Sequence, residues 1–70
     1  MINVWKYQDV KRLEITDTDG KVWRGKFLEI VDSEEQSDLA EKDEDSIVIQ
    51  CDGQCISFYA SEIKSIRILE

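Results

Sequence analysis

Apolar and polar residues alternate in short runs along this chain, with the period of half-buried strands. In "KRLEITDTDGKVWRGKF", Leu13 and Ile15 alternate with Arg12, Glu14 and Thr16, which predicts a first strand entering a hairpin. Asp19-Gly20 marks the turn. A two-residue turn would set Ile15 against Arg24. A three-residue loop, Asp19-Gly20-Lys21, sets Leu13 opposite Phe27, Ile15 opposite Gly25 and Glu14 opposite Lys26, with Gly20 at a positive φ. The second register is preferred, because a cross-strand pair of opposite charges contributes roughly 0.2–1 kcal/mol.

The second strand, roughly residues 21–31, carries Trp23, Gly25 and Phe27 on one face and Val22, Leu28 and Ile30 on the other. A flat strand in a small protein cannot bury both faces. A strongly bent one can, and Gly25 stands where a bend or bulge is expected. Val22, Leu28, Ile30 and Val48 then need a cover, either the N-terminal segment or another subunit.

"SIVIQCDGQCISFYA" is a second hairpin. An Asp52-Gly53 two-residue turn pairs Cys51 with Gln54, Ile49 with Ile56 and Ile47 with Phe58, so that the large apolar residues share one face. Cys51 and Cys55 fall on opposite faces, which argues against a disulfide between them. A turn around Ser61-Glu62 leads to a last strand with Ile66 and Ile68 on one side and Arg67 on the other, and Ile63 plugs the core at that turn. The opening "NVWKYQD" reads as one turn of helix or as an extension of the first strand, with Trp5 and Tyr7 covering an open end. The expected fold is all-β: residues 1–70 form a single small five-stranded, bent SH3-like barrel, with a short N-terminal helical turn as one option and an acidic loop between the second and third strands.

Charge sharpens this picture. The net charge is −7. Residues 32–45 hold eight acids and one base, 1 − 8 = −7, while the remaining eight acids and eight bases cancel. This insert reads as a solvated loop of like charges, as a short helix capped by Ser33-Glu34-Glu35-Gln36 and anchored by Leu39, or as a site for divalent cations or a basic partner. Affinity driven by phosphate contacts would want the opposite sign. A domain of about this size buries only about 60% of its unfolded surface, so association would add needed stability.

Candidate chemistry is sparse. There is no histidine, and the spacing of the two cysteines fits neither a thioredoxin-like motif nor a zinc knuckle. "DTDG" opens like a calcium loop, but Leu28 stands where the closing glutamate belongs. With no base or activated nucleophile, neither an enzyme nor a cofactor or metal is expected. Charges early in "MINVWKYQDVKRLEI" argue against a signal peptide, and no apolar run reaches membrane-spanning length, so the expected location is the cytoplasm, with cysteines as thiols.

"DGKVWRGKFLEIVD" resembles the first motif of Sm-like (LSm) proteins, with Asp19, Gly20, Gly25, Phe27 and Asp32 in its roles. "YASEIKSIRIL" resembles the second, with Ile63 and Ile66 three apart. The resemblance covers about residues 10–70 and is closest to short uncharacterised Sm-like proteins of Gram-positive bacteria. It implies a bent barrel, often assembled into rings by edge-strand pairing, and for RNA-binding members an aspartate–aromatic–asparagine set and an arginine–glycine pair in which the aromatic stacks a base. By that analogy Asp32, Gln36 and Tyr59 are the RNA-binding candidates. The chain departs from the pattern: Asp32 comes one residue late, Glu34 replaces the aromatic and Tyr59-Ala60 replaces arginine–glycine. The expected function is therefore a non-enzymatic interaction module that self-associates or docks on a protein. An RNA-binding ring with non-standard pore residues is the alternative.

Overall fold

The structure, a computed structural model, describes residues 2–33 and 44–70. Five antiparallel strands form one sheet: β1 (Arg12–Asp17), β2 (Val22–Val31), β3 (Ser46–Cys51), β4 (Gln54–Tyr59) and β5 (Ile63–Ile68), in the order β4-β3-β2-β1-β5. The described helical structure includes two short 3-10 turns, Val4–Tyr7 and Ala60–Glu62. The expected all-β, five-stranded composition is present. The ladders between described residues leave β4 and β5 as the two ends of the sheet.

The β3–β4 hairpin has the expected register, with Cys51 opposite Gln54, Ile49 opposite Ile56 and Ile47 opposite Phe58. Its turn residues both have positive φ, 51° at Asp52 and 78° at Gly53, the geometry that makes Asp-Gly a hairpin turn. Cys51 packs against the core while Cys55 is exposed, on opposite faces as the register requires.

The β1–β2 hairpin corrects the expectation. Its loop is Thr18-Asp19-Gly20, one position earlier, so Leu13 faces Gly25, Ile15 faces Trp23 and Glu14 faces Arg24. The cause is the Asp17 side chain. One of its oxygens accepts from the N–H groups of Asp19 and Lys21, both at 2.9 Å, and the other from the Trp23 indole at 3.0 Å. These bonds close the loop at Asp17 and Lys21, and their backbones add a 2.9 Å bond. Because the slip is two residues, every side chain keeps its face. Glu14 still finds its cross-strand cation, but finds two: Arg24 at 2.7 Å from β2 and Arg67 at 3.2 Å from β5.

β2 solves its two-faced pattern with a bulge. The β2–β3 register slips between Phe27 and Glu29, leaving Leu28 as the extra residue. Before the bulge Trp23, Gly25 and Phe27 face inward. After it the parity flips, and Ile30 opposes Ile47 and packs on the core. Gly25, three residues earlier, has a different task. It is buried, and a β-carbon built there would collide with the backbone carbonyl oxygen of Gln50. The backbone of β3 lies over β2 at this point, which only glycine permits.

The core comprises Val4, Leu13, Ile15, Ile47, Ile49, Phe58, Ala60 and Ile63. Trp23 lies at its margin, its ring 5.7 Å from Phe58 in an edge-to-face contact and covered by the Lys21 ammonium at 4.2 Å. Ile63 is buried as expected, at the start of β5. At the N-terminus the turn option is the one realised, but the plug is Val4, 1% exposed, whereas Trp5 is 38% exposed and Tyr7 only half-buried. The short turn, capped by the Asn3 side chain on the Trp5 N–H, aims its smallest apolar residue inward. Val22 and Leu28 remain exposed, so the N-terminal turn covers the core and not the outer face.

Gly25→Ala is expected to destabilise the chain by about 1–3 kcal/mol through overpacking against β3. Ile49→Ala is expected to cost about 2–5 kcal/mol through loss of buried area and a residual cavity. Urea denaturation of the two variants beside the parent checks both. An unchanged midpoint for Gly25→Ala would contradict the close approach.

Candidate interface: an acidic rim and a basic groove

The three strands β2, β3 and β4 end together at one rim, because Val31 opposes Ser46 and Ser46 opposes Tyr59. Asp32 follows Val31 directly, so Asp32 and Tyr59 share that rim, both half-buried. Gln36, the third RNA-binding candidate, lies outside the described residues, as do Glu34, Leu39 and the rest of residues 34–43.

The rim is built by carboxylates, including two from the acidic insert, Glu44 and Asp45, which the sequence left open between a solvated loop, a short helix and a binding site. Asp45 accepts the Ser33 N–H at 2.9 Å with one oxygen and the Trp5 indole N–H at 2.9 Å with the other. Its backbone carbonyl accepts the Ala60 N–H at 3.0 Å. Glu44 accepts the Ser61 N–H at 2.8 Å, and Glu62 accepts the Tyr59 N–H at 2.9 Å, closing the Ala60–Glu62 turn. The end of the acidic insert is therefore a staple that joins the N-terminal turn, the β2 end and the β4–β5 connection. Nothing in composition distinguishes Asp45 from its acidic neighbours. Its position directly before β3 is the one signal that was available.

Hydrogen bonds and ion pairs also shift three carboxylates, Asp45 on the rim and Asp17 and Glu14 on β1. The Ser33 N–H, and then the Trp5 indole, hold the Asp45 carboxyl below its ordinary value. The Trp23 indole, and then the Lys21 and Asp19 N–H groups, do the same for Asp17. The Arg24 guanidinium, assisted by Arg67, lowers Glu14. A base-stacking site at this rim would place phosphates among Asp32, Glu44, Asp45 and Glu62, with Tyr59 as its aromatic. Like charge opposes that arrangement.

At the other end of β3 the charge reverses. An open groove of about 590 Å³ runs past the start of β1, the middle of β2 and the β3–β4 turn. Lys11, Arg12, Arg24 and Lys26 line it, with Asp52 as its one carboxylate and Val10 and Phe27 as an apolar wall. Arg24 is engaged by Glu14, whereas Lys11, Arg12 and Lys26 make no ion pair among the described residues. Sequence reasoning missed this groove because its bases come from two separated segments, in a body whose acids and bases sum to zero.

Among the described residues, no group of three or more histidine, cysteine, aspartate or glutamate side chains is arranged to hold a metal ion. No helix among them is long and apolar enough to cross a membrane. In comparison with known proteins, no family model matches the chain, and no curated protein or solved structure matches it either.

Asp17, Asp45 and Glu14 bind their protons more weakly when folded than when unfolded. Their stabilisation is thus complete above the unfolded carboxylate range and is lost as pH falls through the depressed folded values. Melting temperature, followed by circular dichroism, should hold from neutrality down to about pH 5 and drop below about pH 4. Asp45→Asn should melt lower at neutral pH and show a shallower acid limb. An unchanged acid limb would contradict the staple.

Proposed function

We propose that this chain is a non-enzymatic interaction module of the Sm-like kind, a small cytoplasmic barrel that self-associates or docks on a protein. The observation that carries this reading is the character of the sheet's ends. β4, the segment Gln54–Tyr59, contains no charged residue and no proline. Natural edge strands are usually guarded by such residues against pairing with another chain. In a two-residue hairpin the residues flanking the turn exchange both bonds, as do alternate pairs beyond them. With Cys51 opposite Gln54, the N–H groups of Cys55, Ser57 and Tyr59 therefore point away from β3. Glu62 accepts the one at Tyr59.

Exposed apolar residues support the same reading. Ile68 opposes buried Leu13 and belongs to the inner face, yet is 53% exposed, and Val22 on the outer face is 48% exposed. A chain of 70 residues gains core by placing such residues against another subunit. The competing reading, an RNA-binding ring with altered pore residues, would have to draw phosphates to the acidic rim around Asp32 and Tyr59.

Light scattering coupled to size exclusion should give a mass above that of a single chain, unchanged or raised by salt, as expected for backbone pairing and apolar contact. Ser57→Pro removes an outward N–H without taking a bond from β3, and Ile68→Lys puts a charge on the exposed inner face; each should shift the mass toward one chain. A strictly monomeric parent that also captures no protein partner overturns the proposal. Micromolar binding of uridine-rich or adenine-rich RNA with a steep salt dependence would replace it with the competing reading.

A further inference from the structure

We propose that the groove beside Gly25 is a docking site for an acidic segment of a partner protein. This inference rests on the interaction-module reading and gives it a partner chemistry. Four cations and one carboxylate line the groove, and with Arg24 paired to Glu14 the balance is 3 − 1 = +2, on a chain whose net charge is −7. Its size, about 590 Å³, falls within the range of roughly 300–1,000 Å³ of ligand clefts.

The strand register adds a second, independent observation. It places Arg12 directly opposite Lys26. Like charges facing each other across two strands destabilise a sheet. Glu14, the neighbouring carboxylate on β1, does not relieve this pair, because it is engaged by Arg24 and Arg67. A fold that keeps an unrelieved like-charge pair at a cleft holds it for an anion that arrives from outside. Arg12 adds a planar fork suited to a carboxylate, and Lys11 and Lys26 flank it as point charges.

The groove's other features select a peptide over a nucleic acid. Its one aromatic is Phe27, packed on the core, with no second ring beside it on which successive bases could stack. Val10 and Phe27 give a wall on which an apolar side chain can lie. Beyond the groove the chain is acidic, so an extended polyanion with a charge at every nucleotide would be repelled along its length, whereas a short acidic segment ends where the cations end.

The test is fluorescence anisotropy of a short labelled peptide of alternating glutamate and leucine, added to the full chain at low and moderate salt. The glutamine analogue and an oligouridylate are the comparison ligands. Binding of the glutamate peptide, weakened by salt, is expected. Lys26→Glu and Arg12→Glu should each weaken it about tenfold, since each exchanges an attraction for a repulsion. Lys64→Glu makes the same change of net charge on β5, away from the groove, and should stay within about twofold of the parent.

Lys26→Glu has a further signature. It sets opposite charges across β1 and β2, so it should melt at or above the parent's temperature while losing the ligand. If a groove variant nevertheless fails to fold, Lys11→Glu, before β1, takes its place. Equal binding of the glutamine analogue, an unchanged affinity in the groove variants, or preference for the oligouridylate each overturns the proposal. A parent that self-associates but ignores the peptide loses only this inference. A monomer that binds the peptide through Lys26 loses only the self-association half of the function above.

Discussion

At position 25 the carbonyl oxygen of Gln50 occupies the place a β-carbon would take, so β3 can lie over β2 only because that residue is glycine. The contact matters for everything downstream because β2 pairs with β1 on one side and β3 on the other. Leaning β3 inward there brings Ile47 and Ile49 over Leu13 and Ile15, and these four residues are fully buried. The bulge at Leu28 then repairs the cost of a long strand. Without the parity change, Ile30 would point outward with Leu28 and Val22, and the second half of β2 would contribute nothing to the core. The glycine and the bulge act in series: one permits the approach of the neighbouring strand, the other keeps the strand apolar on the side approached.

The same geometry separates charge along β3. Residues at Ser46 and residues past Cys51 stand at opposite ends of a six-residue strand, on the order of 16 Å apart at about 3.3 Å per residue. One end gathers Asp32, Glu44, Asp45 and Glu62; the other gathers Lys11, Arg12, Arg24 and Lys26. That spacing exceeds the screening length of roughly 8–10 Å at moderate ionic strength, so each end presents its own field to a partner. A net charge summed over the chain hides this, and a balanced body is not the same as a featureless one.

How far the sequence could be read depended on whether the deciding group was a backbone feature or a side chain. Asp52-Gly53 specifies a turn through backbone φ alone, and the β3–β4 register followed from it without error. The β1–β2 loop is specified by what the Asp17 carboxylate reaches, and no alternation pattern contains that information, so the register came out two residues away while the faces stayed correct. At the N-terminus a turn was one of two legible options, and the cover was assigned to Trp5 and Tyr7 by size; Tyr7 does pack against the core, but the Trp5 indole bonds Asp45 and Val4 fills the centre. For the rim, Asp32 and Tyr59 stand together because β2 and β4 both end there, and composition misled about Glu44 and Asp45, whose charges suggested solvation and whose positions made them structural. The groove was illegible for a plain reason: it is assembled from the starts and middles of strands, and only the register joins them.

The two ends of the sheet are not equivalent, and that asymmetry bears on how the module would assemble. β5 carries Lys64 and Arg67, and Arg67 is drawn inward across β1 by Glu14, which also holds Arg24. Three strands are thereby tied on their outer face at the β5 side, where charge also discourages a second chain from pairing flat against the edge. β4 has no such guard and keeps two outward N–H groups, those of Cys55 and Ser57, between a tight turn and the Glu62-capped Tyr59. An edge that is short, uncharged and bounded at both ends fixes where a partner strand can start and stop, which is what pairing in one register requires. On the reading proposed here, β4 offers the backbone contact, and the charged ends of β3 determine which partners can approach it.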